Sequence, residues 1–281
     1  MRRRRTGGSL TTDDAARFAA GLARARATLA RSPAGLLTDL DGTLAPIVAV
    51  PSQARPTAGA VEALQALAGR LAVVGVVTGR EALEARRILG GSPALLVIGN
   101  HGLEWLEPGA VGPTDEPAFD HARRAVAAAL ARVPRKDGIS VEHKGLSATV
   151  HYRQALVPGA AREAVLHALV PERAEGLEIR EGRMSVEVRP AGLGDKGAAV
   201  RRVVQRFGLR GLVVAGDDVT DLDMFAAARE LGRSPRLRVA ILAVAGGGEV
   251  PAEVSAAADV TLPDPAAFAA LLAQLAAGLM V

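Results

Sequence analysis

An apolar run ends in two aspartates one residue apart at Leu36-Leu37-Thr38-Asp39-Leu40-Asp41-Gly42-Thr43. Side chains alternate along a strand, and a turn at Gly42 can then aim both carboxylates at one small site. One of them can act as a nucleophile or metal ligand and the other as a proton donor. Asp-Gly is also a common turn dipeptide, so these residues by themselves admit a plain turn. Three more segments carry chemistry of a matching kind. Val76-Val77-Thr78-Gly79-Arg80 offers a hydroxyl and a backbone amide where a helix begins, a position that suits an anion, although Thr78 could simply cap that helix. Gly194-Asp195-Lys196-Gly197 puts a lysine in the first turn of a helix, where the macrodipole opposes it; a buried anion nearby would explain the placement. Gly216-Asp217-Asp218-Val219-Thr220-Asp221 packs three carboxylates into five residues. They would repel one another without a cation, and an oxygen-rich set of this kind suits Mg²⁺.

The elements that must position these groups follow from the hydrophobic pattern. Short Val/Leu runs alternate with helical stretches: strand 36–40, helix 57–69, strand 71–77, helix 81–89, strand 94–98, and later helix 196–207, strand 212–215, helix 222–231, strands 237–244 and 259–262, and helix 265–277 closed by Gly278. Continuous apolar strands between helices predict a parallel sheet covered on both faces, with sites at the carboxyl ends of the strands. The middle reads otherwise. Residues 107–117 hold three prolines and two glycines, a linker signal. Beyond it the order is helix, strands 139–142 and 146–152, helix, strands 177–180 and 183–188. The fold class is therefore α/β, a doubly wound parallel-sheet (Rossmann-like) core with an inserted α+β cap. The expected division is a basic tail and N-terminal helix over 1–34, a core over 35–108 and 190–281, and a cap over 109–189, with 189–194 as the return hinge.

Composition narrows the partners. The 281 residues are 49% hydrophobic but only 2% aromatic, so the core must be built from Ala, Val and Leu. The formal charge of +4 is matched by Arg2 to Arg5 alone, and no basic face for nucleic acid is evident in the remainder. There is no cysteine, which removes disulfide and thiolate chemistry. No signal peptide follows the basic start, and the apolar stretch from 265 is short for a membrane span. A cytoplasmic protein without a nucleic-acid or membrane partner is expected. Among 34 basic residues only Lys136, Lys144 and Lys196 are lysine, a hint that a compact ammonium is kept where it is needed.

Taken in order, the four segments resemble the haloacid-dehalogenase-like phosphohydrolase superfamily: Asp-x-Asp-Gly-Thr, a Ser or Thr, a Lys, then Gly-Asp-x-x-x-Asp. The resemblance implies that Asp39 attacks phosphorus to form an aspartyl-phosphate, and that Asp41 protonates the leaving oxygen and then activates water. It implies that Thr78 and Lys196 hold phosphate oxygens, and that Mg²⁺ is bound by Asp39, the Asp41 carbonyl and Asp217 with Asp218 and Asp221 in support. Further stretches are similar to trehalose-6-phosphate phosphatases: Gly99-Asn100-His101-Gly102, Glu142-His143-Lys144-Gly145-Leu146-Ser147 leading to His151-Tyr152-Arg153, Glu187-Val188-Arg189-Pro190, Asp195-Lys196-Gly197 and Gly216 to Asp221. By that resemblance Glu142, Lys144 and Glu187 contact the glucose ring remote from the phosphate. Thr43, Gly79, Arg80, His101 and Arg189 complete the implied substrate-binding set. Two positions depart from the family pattern, Leu222 where Glu is usual and Arg183 where Lys is usual.

The implied substrate is a small molecule, trehalose 6-phosphate. Sucrose phosphate, mannosyl-phosphoglycerate and a non-catalytic sugar-phosphate sensor are the alternatives. A free-standing enzyme is expected, since no synthase domain would fit in this length, and it is expected to be a monomer.

Overall fold

The computed structural model describes residues 11–48, 50–114, 117–136, 138–144, 146–169, 176–182, 184–191, 195–245 and 250–278, with the backbone alone at 117–119 and 144. The basic tail, Arg183, Gly145 and residues 192–194 of the expected return hinge lie outside the described residues.

The first helix, α1 (Thr12–Leu29), starts at a capping box in which Thr11 and Asp14 satisfy each other's amides. The strand–helix alternation then runs β1 (Ala34–Thr38), α2 (Ala60–Ala68), β2 (Val73–Val77), α3 (Ala82–Ile88), β3 (Leu96–Gly99) and β4 (Glu104–Leu106). It passes through α4 (Pro117–Ala131), β5 (Ser140–Lys144), β6 (Ser147–His151), α5 (Pro158–Leu169), β7 (Leu177–Gly182) and β8 (Ser185–Pro190). It returns as α6 (Lys196–Phe207), β9 (Gly211–Gly216), α7 (Leu222–Leu231), β10 (Arg238–Val244), α8 (Ala252–Ala257), β11 (Val260–Leu262) and α9 (Pro265–Gly278).

Two sheets result. The larger has seven strands in the order β11-β10-β9-β1-β2-β3-β4, all pairs parallel except β3 with β4. Its central strands are buried along their whole length, as the continuous apolar runs require. Leu36, Val74, Val76, Val97, Val213 and Leu242 face α1, α2, α3 and α9. Leu37, Val73, Val77, Ile98, Val214 and Ile241 face α6, α7 and α8. Helices thus cover both faces, and the expected doubly wound architecture is present. The helix α1, set apart with the tail in the sequence reading, contributes Leu22, Ala25 and Leu29 to the first of these layers. Leu222 starts α7 and packs against the second layer, so its departure from the family pattern places an apolar side chain against the core.

The smaller sheet is antiparallel, β5-β6-β8-β7. Ala148, Val150, Val186 and Val188 share a core with Val126, Ala129, Val165 and Leu169 of α4 and α5. The alternation sends the other residues of these strands to the opposite face. There the register aligns Glu142 with Thr149, Thr149 with Glu187, and Glu187 with Arg180. Lys144 stands opposite Ser147 in the ladder; its side chain lies outside the described residues.

Two elements escape the hydrophobic pattern. The strand β4 is only three residues long and follows a left-handed turn, Asn100 and His101 having φ of 47° and 56°. The helix α8 is six residues long with one buried side chain, Val254, too short for a 3.6-residue period to register. Among the described residues no helix is long and apolar enough to cross a membrane.

Candidate active site

Parallel strands deliver their carboxyl ends to one edge of the sheet, and the neighbours there are β9, β1 and β2. Asp217, Asp39 and Thr78 are the residues that follow these strands. The Asp39 amide donates to the Ala215 carbonyl at 2.9 Å, extending the β1–β9 ladder by one residue. The chain then turns over Gly42, closed by Gly42 N–H to Ala45 O at 2.7 Å and Ala45 N–H to Leu40 O at 2.9 Å. Gly42 has φ +91°, and a Cβ there would lie 1.9 Å from Asp217 Oδ2. Only glycine satisfies both demands.

The centre of the site is Lys196, the first residue of α6. Its Nζ donates to Asp39 Oδ1 at 2.7 Å and to Asp221 Oδ1 at 2.6 Å, and all three residues are buried. An ammonium has three protons, so one remains for a further acceptor. Burial alone would depress this ammonium, but the two carboxylates outweigh it and hold Lys196 protonated above its ordinary range. The sequence expectation of a buried anion near this helix start is thereby met. Asp195, just before it, caps the helix by accepting from the Ala198 amide at 2.6 Å.

The acidic cluster divides its tasks. Asp221 Oδ2 accepts from the amides of Asp217 and Asp218 at 2.9 and 3.1 Å, so both its oxygens are engaged. Asp217 Oδ1 accepts from the Thr43 hydroxyl at 2.8 Å. Thr43 therefore orients a carboxylate from beneath the cleft. Burial pushes Asp39 well above the usual carboxylate range, relieved in part by Lys196 and worsened by Asp221 and Asp217. Burial likewise raises Asp217 to about 7, against the Thr43 hydrogen bond. One oxygen from each of Asp39, Asp217 and Asp221 lies within 4.8 Å of the others. Three buried carboxylates thus face one ammonium, and a divalent cation fits both the oxygen donors and the missing positive charge. Asp218 is exposed and stands on the cleft wall outside this cluster.

Above the cluster opens a cleft of about 490 Å³ lined by Asp39, Asp41, Thr78, Gly79, Arg80, His101, Glu142 and Lys196, among others. The Asp41 carboxylate is clamped in two-pronged fashion by Arg80, whose Nε and Nη2 donate at 2.6 and 2.8 Å. Arg80 also donates to Glu84 at 2.8 Å and to the Pro51 carbonyl at 2.9 Å. Most of its donors are therefore committed to the protein. Thr78 does not cap α3. That helix begins four residues later, and the Thr78 hydroxyl instead accepts from the Arg80 amide at 3.3 Å. The start of α3 is served by Glu104, whose buried carboxylate accepts from the Ala82 amide at 2.8 Å. Gly79 leaves room for the His101 ring, which a Cβ would meet at 2.7 Å.

The second sheet closes the cleft from the far side. His101 Nε2 lies 3.9 Å from Glu187 Oε1, Glu142 lies on the cleft wall, and Ser147 donates to buried Asn100 at 3.1 Å. Arg189 is directed elsewhere on its sheet, its Nε and Nη2 donating to Glu178 Oε2 at 2.9 and 2.8 Å. Sequence reasoning missed Glu84, Asn100 and Glu104 as parts of this architecture. Glu84 was open to detection, since it lies in the first turn of the helix that follows Arg80, four residues on; the others depend on contacts between distant segments.

Comparison with known proteins agrees with this geometry. Residues 37–261 match the family described as trehalose-phosphatase. A trehalose-phosphate phosphatase of Mycobacterium marinum is 34% identical over 200 residues, 67% of this chain and 50% of the relative. One of Mycobacterium avium is 36% identical over 214 residues, 71% of this chain and 52% of the relative. The chain thus spans about half the length of these curated relatives. The structure of Aspergillus fumigatus trehalose-6-phosphate phosphatase matches with a TM-score of 0.65 at 25% identity, covering 92% of this chain and 97% of that one. The C-terminal domain of the Candida albicans trehalose-6-phosphate phosphatase has the same fold, with a TM-score of 0.67 at 21% identity. With a match that covers most of its length and with relatives at this identity, the chain belongs to the trehalose-phosphatase family.

Proposed function

We propose that the chain hydrolyses trehalose 6-phosphate to trehalose and phosphate with Mg²⁺, through an aspartyl-phosphate on Asp39. The observation that carries this reading is the Lys196 ammonium, locked between Asp39 and Asp221 at 2.7 and 2.6 Å on the floor of a cleft whose walls include Asp41 and Glu142. An Asp39 oxygen attacks phosphorus while the bond from phosphorus to the sugar oxygen breaks, and Asp41, once released from the Arg80 clamp and protonated, gives its proton to that oxygen. Asp41 then takes a proton from a water, which attacks the same phosphorus and frees phosphate and the Asp39 carboxylate. The third Lys196 proton and the Thr78 hydroxyl hold phosphate oxygens as charge develops. Asp39 and Asp217, each with an oxygen left over from the hydrogen bonds above, and the Asp41 carbonyl would hold Mg²⁺. Asp221 supports Lys196 and the turn, and Asp218 stays at the rim. When bound, the ion would neutralise the phosphate and the crowded carboxylates.

In the same reading residues 109–189 form a cap over a core of 35–108 and 190–281. Glu142 and Glu187 are two strand positions apart on the polar face of the cap sheet, about 10 Å, which leaves room for a sugar ring between them. Phosphate release is to be measured for trehalose 6-phosphate, sucrose phosphate and mannosyl-phosphoglycerate, with and without Mg²⁺. A clear preference for trehalose 6-phosphate that needs the metal is expected; preference for another sugar phosphate would displace this assignment.

A further inference from the structure

The opposite edge of the large sheet has a different chemistry. The parallel strands begin there, and arginines from distant parts of the sequence meet. Arg31 precedes β1, Arg238 opens β10, Arg24 lies on α1, and Arg229 and Arg233 flank the carboxyl end of α7. The backbone draws the strand starts together: the Arg210 amide donates to Pro33 O at 2.7 Å and the Arg238 amide to Arg210 O at 2.9 Å. These five arginines line one groove of about 480 Å³, together with Ser234.

Among the described residues no carboxylate lines the groove. The nearby Asp259 takes Arg229 at 2.8 Å and Arg24 at 3.8 Å. Arg31, Arg233 and Arg238 make no side-chain hydrogen bond or ion pair with any described residue. Such crowding of like charge is unfavourable and is relieved by an anion. Planar guanidinium groups suit phosphate, since each offers two parallel donors. A single phosphate would leave most of these donors unmatched. Duplex nucleic acid would want cations along an extended surface, whereas these surround a concavity of a size usual for small-molecule sites. A five-residue strand separates this edge from the catalytic one, about 16 Å, so the two sites are distinct.

We propose that this groove binds a small molecule carrying clustered phosphate groups, at a second site remote from the catalytic cleft. Inorganic tripolyphosphate is the probe, titrated calorimetrically into the full chain at moderate salt with chelator present. The unmodified chain is compared with Arg31→Ala/Arg238→Ala and with Arg31→Lys/Arg238→Lys. Both positions are exposed, and neither belongs to the catalytic machinery. One saturable equivalent is expected that weakens at least about tenfold in the alanine pair, with a smaller loss in the lysine pair, which keeps charge but not the fork. Phosphate release from trehalose 6-phosphate stays unchanged in both. The proposal is overturned if no saturable binding occurs, or if the alanine pair binds with unchanged affinity and stoichiometry, since the anion then sits elsewhere. It is equally overturned if short duplex DNA binds and tripolyphosphate only weakens it as a screening salt.

Discussion

Replacing Gly42 by alanine tests whether the turn after Asp41 and the acidic cluster form one unit. The new Cβ would start 1.9 Å from Asp217 Oδ2 and 2.3 Å from its Cγ. Ordinary contact requires the carboxylate to retreat by more than about 1 Å, which disturbs the 2.8 Å hydrogen bond that Oδ1 accepts from Thr43. Alanine at φ +91° also carries backbone strain, about 1–3 kcal/mol. A 1 Å misplacement in such a site costs about 100-fold in rate, or about 2.7 kcal/mol of transition-state stabilisation. Gly42→Ala is therefore expected to lower kcat about 100-fold and to raise the Mg²⁺ concentration for half-maximal activity, measured by phosphate release from trehalose 6-phosphate. Gly59→Ala is the control: that residue has φ +80° but nothing within 4 Å of the built Cβ, so it should cost stability and leave kcat alone. If Gly42→Ala stays within about threefold of the unmodified chain in kcat and Mg²⁺ dependence, the reasoning that joins this turn to Asp217 fails.

Asp39→Asn, which keeps size but removes the attacking charge, is expected to abolish turnover even with saturating metal; substantial retained activity would rule out the nucleophile assignment. Glu187→Gln and Glu142→Gln should lower kcat/KM for trehalose 6-phosphate about tenfold or more, while a small aryl phosphate that lacks the remote sugar is hydrolysed as before. Equal losses on both substrates would remove the sugar-binding role. Asp217 holds its proton to about 7 in the folded, metal-free chain, against an ordinary 3.8. The folded state therefore binds an extra proton between these values, and this contribution to stability is present below about pH 4 and lost as pH rises towards 7. Mg²⁺ must displace that proton, so the rise in Tm between chelator and Mg²⁺ should be larger at pH 8 than at pH 5. An equal rise at both would contradict the placement of Asp217 among the metal-binding carboxylates.

The meeting of Asp39, Lys196 and the acidic run was legible because its parts are local. A buried strand followed by Asp39-Leu40-Asp41-Gly42, a lysine in a first helical turn and a dense acidic run each show their chemistry within a few residues. The alternation of apolar runs then dictates that parallel strands bring them to one edge. The spacing that predicted the polar cap strands likewise held, since period 2 alone sends Glu142 and Glu187 to the face opposite Val150 and Val186.

Tertiary structure decided what depends on contacts between distant segments. Thr43 and Thr78 both carry hydroxyls near Asp39 and Asp41, yet one supports Asp217 while the other lines the cleft. Arg80 turns out to hold Asp41, and Asp221 to hold Lys196 and two amides. Along the chain the arginines looked like a scattered excess with no basic face. Parallel pairing puts the starts of β1, β9 and β10 side by side, so Arg31 and Arg238 share a groove although 206 positions separate them in number. Periodicity determines which face of an element a side chain takes. Only the packed sheet determines which other side chains it meets there, because Coulomb and hydrogen-bond energies depend on distances that sequence separation does not encode.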